Sequence, residues 1–262
     1  MSESTALLDF FKRGEVARDV RMLAAQGTLA PRAHEQLAML VLLLEDADRE
    51  IRQVADLTLN RIPIEALRTF LGRSDVSIGL REFFGDRGVF PAEIPTIEVD
   101  VEAPLIDMAP LEFGADGEQA EADRDSVVQK LSQMNFTDRL KAAMKGTKEM
   151  RAILIRDPNK MISAAVLSSP KVTDQEAAGF ARMASVSEEV LRAIGHNRAW
   201  MKSYGVVIGL TRNPKTPLAM SLNLLSRLQD RDVQAISVDR NVPEPLRIAA
   251  RKKVIANVSG KA

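Results

Sequence analysis

Cysteine is absent from the 262 residues, histidine occurs only at His34 and His196, and tryptophan and tyrosine occur once each. Without a thiol there is no disulfide, no thiolate ligand for zinc or an iron–sulfur cluster, and no Cys nucleophile. A metal site would have to rest on carboxylates, and no clustered set of them stands out. Long apolar runs are also missing. The longest, Leu37 to Leu44, has eight residues, against roughly 20 for a membrane-spanning helix. The opening Met1-Ser2-Glu3-Ser4-Thr5 has neither the positive flank nor the apolar stretch of a signal peptide. The expectation is a soluble, cytoplasmic chain with no membrane partner.

Net charge is zero, with 36 Lys and Arg against 36 Asp and Glu. That balance is a cancellation between unlike segments. Residues 1–92 carry a net −2, residues 93–135 a net −9 and residues 136–262 a net +11. Charge asymmetry of this kind concerns partners rather than fold. The acidic part is interrupted by Pro91, Pro95, Pro104 and Pro110, which break helices, and its stretch from Gly114 to Glu121 has a disorder composition. Between Ile94 and Phe113, acids alternate with Ile97, Val99, Leu105, Ile106, Met108 and Leu111. Two readings fit that alternation: a linker pinned to a neighbouring domain by a few apolar side chains, or a short motif that docks on a partner. The domain expectation is therefore a helical part at 1–90, an acidic and largely disordered linker at 91–130, a basic helical part at 131–258, and a tail at 259–262.

Elsewhere apolar residues recur at three- and four-residue spacing, as in Leu37, Leu40, Val41, Leu44 and in Val190, Leu191, Ile194. Gly205 to Leu210 looks extended by composition, but Trp200, Met201 and Tyr204 precede it at helical spacing, so it reads as helix. Trp200 and Tyr204 would share one helix face and pack in the core. The fold class is all-α. Asp46, Asp48, Ser74, Asp174, Ser187 and Asp230 are placed to cap following helices. The breaks resemble one another: Pro170-Lys171 and Pro214-Lys215 are 44 residues apart, as are Asn197 and Asn241. Asn60 to Arg68 echoes Asn241 to Arg247, with Asn suited to ending a helix and Pro to starting one. Helices this short bury their faces only by stacking on neighbours.

The string Asn213-Pro214-Lys215-Thr216-Pro217, followed by Leu222, Leu225, Leu228, Asp230, Asp232 and Val233, resembles leucine-rich-variant repeats. Asp48-Arg49-Glu50-Ile51-Arg52, followed by Val54 and Ala55, is similar to HEAT-type repeats. The resemblance implies an α-solenoid of short stacked helices, interrupted here by the acidic linker and acting as a protein-interaction scaffold. Some leucine-rich-variant proteins hold a Cys-bound iron–sulfur cluster, and a chain without Cys does not inherit it. No cofactor and no catalytic residue follow from either family.

No phosphate-cradling loop is visible. Lys145-Gly146-Thr147 has suitable residue types but no preceding glycine and no strand leading into it, so it reads as a helix end and a turn. His34 and His196 sit at helix ends, where capping explains them. The basic residues of the C-terminal half are the strongest functional signal. Lys141, Lys145, Lys148 and Arg151 are spaced to share one helix face, and Arg247, Arg251, Lys252 and Lys253 cluster in the last helix. Together they would form a basic ridge able to meet an acidic protein or phosphates. The leading expectation is a non-enzymatic scaffold whose partner is a protein. The alternative is nucleic-acid binding through the basic C-terminal part, masked by an intramolecular contact with the acidic linker.

Overall fold

The computed structural model describes residues 5–92, 103–108 and 124–259, and among them every regular element is helical. The expected linker disorder at 93–102 and 109–123, and the last three residues of the tail, lie outside the described residues. The chain divides into two compact units: Met1–Leu154 with Asn159–Lys171, and Ile155–Pro158 with Val172–Ala262. The composition, by contrast, changes near residues 92 and 135.

The first unit contains α1 (Ala6–Lys12), α2 (Arg18–Ala25), α3 (Ala33–Leu43), α4 (Arg49–Arg61), α5 (Ile64–Leu71) and α6 (Ile78–Gly85) before the acidic segment. After it come α7 (Arg124–Gln133), α8 (Phe136–Lys145), α9 (Lys148–Leu154) and α10 (Lys160–Ser168). In α10 the residues from Met161 to Ser168 are all buried. A helix apolar all round must be enclosed. The neighbours of α10 include α8, α9 and α1, whose Leu7, Leu8 and Phe11 are buried. This is why α1 belongs with helices more than a hundred residues away. Arg32 ties α3 to the end of α10, donating from Nη1 to the Leu167 carbonyl at 2.7 Å.

Part of the acidic segment is docked in this unit. Gln36, 2% exposed on α3, accepts the Leu105 and Ile106 N–H groups on Oε1 at 2.8 and 3.1 Å. Its Nε2 donates to the Ile106 carbonyl at 2.5 Å. Lys145 Nζ donates to Asp107 Oδ1 at 2.5 Å. At residues 103–108, then, the segment is held by main-chain hydrogen bonds to Gln36 and an ion pair to Lys145.

The second unit contains α11 (Asp174–Arg182), α12 (Glu188–His196), a 3-10 turn (Trp200–Lys202), α13 (Tyr204–Arg212), α14 (Leu218–Leu225), α15 (Asp230–Val238) and α16 (Glu244–Ser259). Gly205 to Leu210 is helical, as its flanking spacing requires. Helices of eight or nine residues are unstable alone, so their definition comes from caps and packing. Here α11 packs on α13, α14 on α16, and α15 on α16.

In both units the residue just before the N-cap is repeatedly buried. Ile62, Val76, Val172, Val186, Leu228 and Val242 hold this place at 0–6% exposure. This is the hydrophobic position that fixes how a chain enters its helix. It explains why Ser77, after Val76, caps α6 and Ser74 does not. For the same reason Thr173 caps α11 while Asp174 is already its first residue. Asp230 likewise opens α15 behind Gln229. Asp48 and Ser187 cap α4 and α12 as expected. Trp200 and Tyr204 do not share a helix. Ser203 is extended between the 3-10 turn and α13, leaving Trp200 4% exposed and Tyr204 37% exposed.

Candidate functional site

The ridge expected through Lys141, Lys145, Lys148 and Arg151 is not a surface. Gly146 ends α8 in an extended conformation, and a Cβ there would sit 2.3 Å from the Ala142 carbonyl oxygen. Lys148 and Arg151 therefore belong to a new helix with its own direction. Arg151 is 1% exposed and donates from Nη1 to the Gly146 carbonyl at 2.7 Å. Lys145 is 7% exposed and holds Asp107. Lys141 is half-buried and Lys148 exposed. The stretch Lys145-Gly146-Thr147 is a helix end and a turn, as its sequence indicates.

The C-terminal cluster is a different case. Residues 239–243 join α15 to α16 in a tight turn in which Asp239 Oδ1 accepts the Asn241 N–H at 2.9 Å. Arg247 and Arg251 stand one helical turn apart and reach back to the end of α15. Arg251 Nε donates to the Ser237 carbonyl at 2.9 Å, and Arg247 Nη1 approaches the Asp239 carbonyl at 3.5 Å. Lys253 Nζ donates to the Leu225 carbonyl at the end of α14, at 2.8 Å. Carbonyls at a helix C-terminus lack intrahelical donors and carry partial negative charge, so cations settle there. Lys252 is exposed.

These contacts fix the arginines without using up their donors, since a guanidinium has five N–H groups. Arg240, Arg247, Arg251 and Val238 line an open hollow of about 440 Å³. Arg240 is exposed and makes no hydrogen bond or ion pair among the described residues. Val238 is 71% exposed. Glu244 lies 3.7 Å from Arg247 Nη2.

A second hollow, about 570 Å³, lies beside the same turn and is lined by residues including Arg182, Ile208, Arg212, Asn213, Asp239 and Asn241. Arg182 ends α11 and Arg212 ends α13. The carbonyls at the end of α11 are taken by Asn213 instead, whose Nδ2 donates to Ala181 at 2.8 Å and to Met183 at 3.0 Å. The Arg182 guanidinium makes no hydrogen bond or ion pair among the described residues. Arg212 Nη2 lies 3.5 Å from Asp232 Oδ1, and the other oxygen of Asp232 accepts the Tyr204 hydroxyl at 2.5 Å. Desolvation, then that donated hydrogen bond, holds the Tyr204 phenol above its ordinary pKa.

Sequence spacing did not single out Arg182, Arg212 or Arg240, because they lie on three different elements. The signal that could have found them is positional: each falls at or just past the end of a helix, beside a turn of the repeated type. Among the described residues no group of three or more His, Asp or Glu could hold a metal ion. His196 Nδ1 donates to the Arg192 carbonyl at 2.6 Å, a helix-end contact. What the arrangement offers is a set of guanidinium forks, those of Arg212, Arg247 and Arg251 held by their contacts, that match carboxylate or phosphate oxygens. No family model matches the chain, and no curated protein or solved structure matches it either.

Proposed function

We propose that the chain is a non-enzymatic helical-repeat adaptor, of leucine-rich-variant or HEAT-like type, that holds an acidic segment of a partner protein in the arginine-lined hollow of its C-terminal unit. The repeat reading is supported by two turns 44 residues apart. Ser169 Oγ accepts the Lys171 N–H at 3.3 Å and donates to the Met144 carbonyl at 2.6 Å. Asn213 Oδ1 accepts the Lys215 N–H at 3.0 Å, and Asn213 Nδ2 donates to the Ala181 carbonyl. In each, one polar side chain braces its own turn and satisfies the end of an earlier helix.

The observation that carries the function is Arg240, exposed and unengaged among the described residues, beside Arg247, Arg251 and the exposed Val238. Arginine stays protonated at any physiological pH, so the hollow binds and orients rather than transferring protons. Its geometry suits carboxylates, and Val238 offers an apolar contact that an aliphatic side chain satisfies and a phosphate does not. Guanidinium forks also match phosphates, which keeps nucleic acid as the second reading.

Fluorescence anisotropy of the full chain with an alternating Glu/Leu peptide, and with a single-stranded oligonucleotide of equal charge, separates the two. The peptide is expected to bind, to lose affinity with Arg240→Glu, and to weaken with Val238→Ser. An oligonucleotide that binds tighter, falls steeply with salt and ignores Val238→Ser would replace this reading with nucleic-acid binding. Binding of neither ligand would remove both.

A further inference from the structure

The contacts around residues 105–108 have the form of peptide recognition. Gln36 pairs with both the N–H and the carbonyl of Ile106 and also accepts the Leu105 N–H. That is a main-chain readout, the way a strand edge holds an extended peptide. Two further contacts read side chains. Gly27 has φ +70, and a Cβ built on it would lie 3.5 Å from Ile106 Cγ2 and 3.5 Å from Met108 Cγ. Gly27 thus lies against both apolar groups, with Thr58 Cγ2 the tighter neighbour at 3.2 Å from that Cβ position, and its carbonyl accepts the Met108 N–H at 3.4 Å. Between them Asp107 meets Lys145, whose side chain is 8% exposed. A lysine this buried confers charge selectivity, because a like charge or an unpaired one at that position is costly.

We infer that Gly27, Gln36 and Lys145 form a docking groove for an extended aliphatic–aspartate–aliphatic peptide of a partner protein, and that residues 105–108 occupy it in cis as a tethered competitor. The sequence on either side supplies the tether. Ala92 is anchored by its N–H to the Arg68 carbonyl at 3.0 Å. Ten residues, 93–102, connect it to the docked segment, and fifteen, 109–123, lead on to α7. Extended chain spans about 3.3 Å per residue, so the two connections have contour lengths of roughly 33 and 50 Å. A segment held in cis by connections of this length competes at an effective concentration of roughly millimolar order. A partner peptide must exceed that, so occupancy in trans depends on local abundance or on loss of the cis segment.

The test uses the full chain with its own segment spoiled by Ile106→Asp and Asp107→Lys, and a labelled peptide, Ala-Pro-Leu-Ile-Asp-Met-Ala, added in trans. The peptide is expected to bind this variant at least about tenfold tighter than the wild-type chain, which the tether protects. A peptide with Lys in place of Asp should bind about tenfold more weakly, and Lys145→Glu should reverse that preference. A merely structural Lys145 would not produce the reversal. A folded variant that ignores the peptide, or binds both peptides equally, overturns the inference. The wild-type chain provides a second readout that does not depend on the variant folding. At several millimolar peptide, the Ile106 and Met108 amides should exchange faster with solvent, and unchanged exchange at saturating peptide likewise overturns it.

Discussion

Asn213 donates to the Ala181 carbonyl at 2.8 Å from a position 32 residues further along the chain. One buried amide thereby closes the end of α11 through Ala181 and Met183 while its oxygen holds the Lys215 N–H. Removing it takes the partner from the Ala181 carbonyl and the Lys215 N–H, and one of two donors from the Met183 carbonyl, at a site 3% exposed. Asn213→Ala should cost about 2 kcal/mol, the middle of the range for unsatisfied buried groups. Ser169→Ala, where one carbonyl and a longer 3.3 Å bond from the Lys171 N–H are at stake, should cost about 1 kcal/mol. Urea midpoints check both, and equal small losses would show that the turns are held by something else.

Two glycines should respond in opposite directions. Nothing lies within 4 Å of a Cβ built on Gly179 in α11, so Gly179→Ala should stabilise by about 1 kcal/mol through helix propensity and a less flexible unfolded chain. A Cβ on Gly209 would meet Ala181 Cβ at 3.0 Å and Arg182 Cγ at 3.2 Å, where α13 lies on α11. Gly209→Val should destabilise by about 2 kcal/mol, because α11 and α13 must move apart. Thermal unfolding of the two variants is the check.

Tyr204 is the sole tyrosine, so its ionisation can be followed directly by tyrosinate absorbance. Burial, then the hydrogen bond to Asp232, raises its folded pKa above the ordinary phenol value. The unfolded phenol therefore releases its proton at lower pH than the folded one. Its contribution to stability is complete below the ordinary phenol pKa and is lost as pH rises through the folded value. Asp232→Asn should move the titration midpoint back toward the ordinary value. A wild-type midpoint at or below that value would contradict the geometry.

Asp48 gives the opposite sign at the acid end. The Arg18 guanidinium at 2.7 Å, with help from the Glu50 N–H, holds its carboxyl below the usual aspartate range. Its contribution is present above the ordinary aspartate pKa and fades as pH falls through the folded one. Carboxyl NMR titration should show Asp48 below ordinary aspartates, and Arg18→Ala should raise it.

The helical class was legible because three- and four-residue spacing survives in short helices, including Tyr204–Arg212 with its β-branched interior. Cap identity was less legible. Many polar residues qualify at each break, and the buried residue in front, such as Val76 before Ser77, makes the choice. The ridge from Lys141 to Arg151 failed for two reasons. Gly146 resets the helix direction, and long cationic side chains can be buried when carbonyls or an acid receive them, as with Arg151 and Lys145. Gln36 left no trace in the pattern, because an amide inside a helix looks like any surface residue until its partner at 105–106 is known. Arg182 and Arg212 come to one hollow, and Arg240 to the other, only through packing.

Hydrogen exchange of the full chain, with and without a saturating acidic–aliphatic peptide, tests the proposed role most directly. Protection concentrated at residues 238–241 and the first turns of α16, and abolished by Arg240→Glu, is the expected outcome. Binding that protects neither of these, or that survives Arg240→Glu unchanged, would contradict it.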